Sequence, residues 1–172
     1  LEWLNQYAYP AEKRFADPDH AREVAGVFVD ELLRNGTTSA LVFGTVHAHS
    51  ADAIFEAAEA KGMRLIAGKV LMDINCPEEL RDDPESAYAD SKALIDRWHG
   101  KARLGYAITP RFALTSSEAQ LEAAGRLAKE HPEVWVHTHL AENHEEIEDV
   151  AQQFPDSRSY LDVYDRFGLL RE

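Results

Sequence analysis

Four short apolar runs, each followed by a segment with helical periodicity, constrain the fold of this chain more than any other feature. Residues 38–46 (TSALVFGTV), 64–72 (RLIAGKVLM), 104–109 (LGYAIT) and 134–140 (VWVHTHL) have the length and residue types of buried strands. Helices are predicted at 50–61, 84–99, 118–130 and 144–153, with one more before the first run (18–34) and a short one after the last (159–167). Asp17-Pro18 opens the first helix, where Ala21, Val24, Ala25, Phe28, Val29, Leu32 and Leu33 recur at helical spacing, and Asn35-Gly36 ends it. Ser50 is expected to cap the next helix, Thr115-Ser116-Ser117-Glu118 to start another, and Asn143 to cap that over 144–153. Residues 1–17 show no sustained period and read as a long connection rich in aromatics (Trp3, Tyr7, Tyr9, Phe15).

Strands that alternate with helices predict an α/β fold of βαβ units around a parallel sheet. The chemically distinctive residues all fall after a strand and before a helix: His47 and His49, Asp73 and Asn75, Arg111 and Phe112, His139 and Glu142. Barrels and open doubly wound sheets both place their active sites at that end of the strands. No glycine-rich dinucleotide or P-loop motif is present. Four βα units cannot close a (β/α)₈ barrel, which typically needs ~250 residues. The expectation is therefore a portion of a TIM-type barrel, one partial domain over residues 1–172. Its apolar opening (Leu1-Glu2-Trp3-Leu4) and its stop after a helix read as an excerpt of a longer chain, inactive and not stably folded alone. A cooperative, monomeric melt of residues 1–172 would contradict that.

Charge and composition narrow the partners. The formal net charge is −13, from 18 basic and 31 acidic residues, which argues against a nucleic-acid backbone as partner. No apolar run approaches the ~20 residues of a membrane span. Cys76 is the only cysteine, which excludes an internal disulfide and suits a cytoplasmic setting.

The stretch 134–143, VWVHTHLAEN, carries the chemistry. Strand alternation puts Trp135, His137, His139 and Ala141 on one face and Val136, Thr138 and Leu140 on the other. Two histidines on one face need partners if buried, and a metal is one. Glu142 follows at the strand's end, so the pattern suits metal-assisted hydrolysis with a carboxylate moving protons. A plain histidine-bearing strand end before an acidic helix start fits the same residues.

Beyond these patterns, the chain resembles the guanine deaminases of the amidohydrolase superfamily over nearly its whole length. The resemblance rests on LEWLNQYAYPAEKRF at 1–15, LLRNGTTSALVFGTVH at 32–47, GKVLMD at 68–73, AITPRFALTSS at 107–117, THLAEN at 138–143 and YLDVYDRFGLL at 160–170. It implies barrel strands two to five, and zinc-dependent hydrolysis of guanine to xanthine and ammonia. It implies that His139 is a zinc ligand at the substrate site and that Glu142 is the acid/base. Arg111 and Phe112 are implied to hold the purine, and the intact protein to be a homodimer. The family's other ligands (a His-x-His pair, a further histidine and an aspartate) lie on strands that this chain does not contain. His47 and His49 follow the wrong strand to be that pair and are expected to be structural or rim residues. His137 is expected to be a hydrogen-bonded support, Asp73 a loop anchor, Cys76 an incidental thiol, and 145–149 a solvated helix face. For Trp3, pocket lining and core packing stand equal. The competing functions are a deaminase or chlorohydrolase of another ring, and a non-catalytic barrel fragment that acts only in assembly.

Overall fold

The structure is a computed structural model and describes residues 2–170. Leu1, the first residue of the opening motif, and Arg171 and Glu172 lie outside the described residues. The opening stretch is helical rather than an aperiodic connection. A π-helical turn (Leu4–Ala8) runs into α1 (Tyr9–Lys13), a 3₁₀ turn (Arg14–Ala16) and then α2 (Pro18–Arg34). Pro10 sits in the first turn of α1, directly after the π-helical turn. The segment folds as helix because Tyr9 is buried there with Val46, Val70, Met72 and Leu80. Burial of a side chain of that size contributes on the order of 2–3 kcal/mol, enough to organise a short segment that local periodicity leaves undecided.

Asp17 caps α2 by accepting the Asp19 N–H (2.9 Å), as the sequence predicts. The buried stripe of α2 is narrower than its apolar spacing suggests: Ala21, Ala25 and Val29 are buried, and Phe28 is exposed. The remaining elements are β1 (Ser39–Phe43), α3 (Ala48–Ala60), β2 (Arg64–Gly68), β3 (Val70–Leu71), α4 (Pro84–Trp98), β4 (Leu104–Pro110), α5 (Glu118–Glu130), β5 (Trp135–Val136), α6 (His144–Gln153) and α7 (Tyr160–Arg166). Ser117, Asn143 and Ser159 cap α5, α6 and α7 through their side chains. Ser50 does not cap α3; it lies inside the first turn, and His47 occupies the cap position without a side-chain bond.

All strand pairings are parallel: β1 with β2, β2 and β3 with β4, and β4 with β5. The run predicted over 64–72 is interrupted at Lys69, yet Leu65 pairs with Leu104 and Val70 with Thr109. The offset is the same, so β3 continues β2 along one edge of β4. Lys69 is buried at the break and pairs with Asp82 in the long connection to α4. The run predicted over 134–140 keeps only two ladder residues. His137 N–H still reaches Ile108 O (2.9 Å). The next rung would need an N–H from Pro110, which has none, so the ladder ends and His139 N–H turns to Arg111 O (3.1 Å).

The sheet is strongly curved. Three strand spacings separate β1 from β5, about 14 Å in a flat sheet. Yet the Phe43 ring at the end of β1 lies 4.4 Å from the ring of His139 and 4.9 Å from that of His137. The helices pack on the convex side, where Leu65, Ala67, Leu71, Tyr106 and Ile108 form the main core with α3, α4 and α5. The concave side carries Leu41, Phe43, Trp135, His137 and His139; Leu41 is 52% and Trp135 45% exposed.

At Gly68 a Cβ would fall 1.8 Å from Ala107 O. Gly68→Ala is therefore expected to destabilise the fold by about 1–3 kcal/mol or more, read as a lower urea midpoint at unchanged slope.

Candidate active site

The segments that follow β4 and β5, with residues 2–4 of the opening stretch and the first part of α6, line an open cavity of about 520 Å³. Arg111, Phe112, His139 and Glu142, the four residues singled out from sequence, all line it, together with Trp3, Leu114, Asn143 and Glu146.

His139 is oriented by backbone. Its Nδ1 lies 2.8 Å from Arg111 O. A carbonyl oxygen only accepts, so Nδ1 carries the proton and Nε2 keeps its lone pair. That is the usual support of a metal-binding imidazole. The ring is flanked by Phe43 and, at 6.3 Å, by Phe112. Two residues on, Ala141 has φ 54°, a left-handed conformation that costs a non-glycine residue about 1–2 kcal/mol. The kink lifts Glu142 onto the exposed rim of the cavity, clear of the strand.

Arg111 is 7% exposed and already engaged. Its Nη1 donates to both Glu12 carboxylate oxygens, at 2.7 and 2.9 Å. Its guanidinium carbon lies 5.2 Å from the centre of the Tyr9 ring. A buried pair of this kind adds little net stability, but loss of one partner costs about 3–5 kcal/mol because a charge is stranded. Phe112 is buried in the main core and also lines the cavity, so packing and lining coincide in one side chain.

Tyr164 of α7 ties the two strand ends together. Its hydroxyl accepts the Ala113 N–H (2.9 Å), lies 3.1 Å from Thr138 Oγ1, and donates to His139 O (2.8 Å). Burial pushes this phenol above its ordinary value. Asp73 anchors the loop after β4 by accepting the Ser117 N–H (2.8 Å) and hydroxyl, the role expected of it.

Other expectations shift. His137 shares the face of His139, and among the described residues its Nδ1 is buried without a hydrogen-bond partner, with the ring against Phe43. Burial, then the neighbouring His139, lowers its pKa. The 145–149 run is not wholly solvated: Glu146 is 5% exposed and lines the cavity. Trp3 also lines it while remaining 65% exposed. Glu12, Tyr9 and Tyr164 went unnoticed as site residues. Glu12 and Tyr9 sit in a segment without periodicity, and Tyr164 resembles any core aromatic at helical spacing. His47 and His49 stack at the start of α3, 5.5 Å apart, and His49 Nε2 lies 2.7 Å from Phe15 O. Among the described residues, no cluster of three or more histidine, cysteine, aspartate or glutamate side chains is arranged to hold a metal.

Across residues 1–172 the sequence matches the amidohydrolase family. The chain belongs to this family. Within it, the guanine deaminase of Escherichia coli K12 is 57% identical over 169 residues, covering 98% of this chain and 38% of that protein. The solved structure of E. coli guanine deaminase superposes with a TM-score of 0.97 over 98% of this chain and 39% of the other. That of Clostridium acetobutylicum, with guanine bound in its active site, is 34% identical with a TM-score of 0.94, over 98% and 40%. An Arthrobacter aurescens atrazine chlorohydrolase complexed with zinc shares the fold alone, at 20% identity and a TM-score of 0.82 over 98% and 40%. The chain thus spans about two fifths of the length of the relatives it matches. Its curved parallel sheet is a portion of the amidohydrolase TIM-type barrel.

His47 supplies a pH test. Burial, then His49 and Lys69, holds its pKa below 6.5. The folded state thus takes up its proton less readily than the unfolded chain. Stability from this group is present above pH 6.5 and declines as pH falls toward the lowered value. His47→Gln should flatten the acid limb of a plot of unfolding midpoint against pH, between pH 6.5 and the acid side.

Proposed function

We propose that the protein to which this chain belongs hydrolyses guanine to xanthine and ammonia, with this chain as barrel strands two to five and a zinc ion at His139. The observation that supports it most is the convergence of His139, Glu142, Arg111 and Phe112 on one cavity, in a chain 57% identical to a guanine deaminase. His139 fits the metal because its proton sits on Nδ1, against Arg111 O, which leaves the lone pair of Nε2 for an ion, and the residue lines the cavity. Zinc takes about four ligands, so the others are assigned to parts of the protein beyond these residues. When bound, the ion supplies Lewis acidity that makes water an effective nucleophile near neutral pH.

The residues of this chain divide the remaining work. Arg111 donates N–H groups to the carbonyl oxygen of the purine, and Phe112 offers an aromatic surface to the ring. Water adds to the carbon that bears the exocyclic amine. Glu142 takes one proton from that water and gives it to the ring nitrogen, then takes the second from the hydroxyl of the adduct and gives it to the amine. The C–N bond then breaks, ammonia leaves and xanthine remains. The exposed rim position of Glu142 suits a group that must serve several atoms in turn. The whole protein is read as a cytoplasmic homodimer; among the described residues no helix is long and apolar enough to cross a membrane.

Ammonia release from guanine, adenine, cytosine and triazines by the full-length protein tests the reading, and no release from guanine would overturn it. Glu142→Gln should keep its zinc, by elemental analysis, while kcat falls about 10²- to 10⁴-fold. Near-normal turnover in that variant would remove Glu142 from the chemistry.

A further inference from the structure

We propose that Glu12 is a positioning residue for substrate recognition, one that sets which edge of Arg111 meets the purine. The proposal rests on the reading of Arg111 as the guanine contact. A carboxylate and a guanidinium usually meet fork to fork, each oxygen on a different nitrogen. Here both Glu12 oxygens sit on the single nitrogen Nη1, at 2.7 and 2.9 Å. Among the described residues Nη2 and Nε make no hydrogen bond, and neither is sealed from solvent. Glu12 therefore anchors the guanidinium without consuming the pair of donors that a carbonyl oxygen would use.

The surroundings leave little other freedom. The side chains of Arg111 and Glu12 are 8% and 16% exposed. The Tyr9 ring lies against the guanidinium, and Tyr9 itself is buried. Lys13 bonds Glu79 (2.9 Å), which fixes α1 at its other end. The guanidinium is thus held by a carboxylate and an aromatic face, both supplied by α1, 99 residues away in sequence from Arg111 in the case of Glu12. The pairing also balances charge. A cation neutralised by its own carboxylate presents N–H donors without a net positive field, which suits a neutral ring carbonyl.

The test uses the full-length enzyme and two ligands. Guanine carries the ring carbonyl; 2-aminopurine lacks that oxygen and is used as a competing ligand, its Ki measured against guanine. Glu12→Gln keeps an acceptor for Nη1 but loses the charge and the double bond to it. It should raise the KM for guanine about tenfold, more than it lowers kcat, and leave the Ki of 2-aminopurine unchanged. Glu12→Asp keeps the charge on a shorter arm and should show the same selectivity at smaller amplitude; it also serves if the glutamine variant does not fold. Equal weakening of both ligands would mean that Glu12 only supports the pocket, and no change in either would mean that it does nothing for recognition; both results overturn the proposal. Arg111→Ala, run alongside, separates the two levels. If wild type releases no ammonia from guanine, the proposed function fails. If Arg111→Ala raises KM and the Glu12 variants do not, this inference alone fails.

Discussion

Arg111 is where the elements of the site meet, because its backbone and side chain are bonded in different directions. Its N–H goes to Leu71 O of β3 (3.0 Å), which continues the sheet past the last ladder residue of β4. Its carbonyl takes both the N–H and the Nδ1–H of His139, which sets the position and the tautomer of that ring. Its guanidinium takes Glu12, which fastens the opening helix across the strand ends. Pro110, one residue earlier, makes this possible. Without an N–H there, the β4–β5 ladder stops, and the following residue becomes free to act as a hub.

The βα alternation was legible because the strands are short apolar runs, wholly buried in β4, and the helices carry stripes such as Ala21, Ala25 and Val29. The positions of His139 and Glu142 followed from strand alternation and from the cap at Asn143. The helical opening segment was not legible. Its order comes from one buried tyrosine and one ion pair with a residue 99 positions away, and no local window contains either. The shortened β5 was illegible for a similar reason: its end is decided by a proline on the neighbouring strand. The hidden burial of Glu146 within an acidic run depends on α6 lying over the cavity, which charge pattern cannot reveal.

Curvature turns these local facts into a site. Phe43 and His139 come from strands that are not neighbours, yet their rings touch. A flat sheet would leave them about 14 Å apart. Glycine at position 68 helps: the β2 backbone passes so close to Ala107 O that a Cβ has no room. Close approach of β2 and β4 and convergence of side chains on the concave face are therefore one feature seen from two sides. The exposed Leu41 and Trp135 lie on that same face, and apolar side chains on the inside of a barrel pack in layers against those of other strands.

His139 and Glu142 are held in opposite ways, and their proposed roles account for it. A metal ligand must keep its lone pair aimed along one direction, and error there weakens every bond to the ion. His139 accordingly has its ring nitrogen, backbone N–H and carbonyl all bonded, the last by Tyr164. A proton carrier must reach water, ring and leaving amine in turn, so a rigid hold would serve one step and hinder the next. Glu142 stands beyond a left-handed alanine, exposed at the cavity's rim. Stiffening of the turn at Ala141 would slow proton transfer while leaving the ligand geometry of His139 untouched, because His139 and Glu142 share a loop but no hydrogen bond.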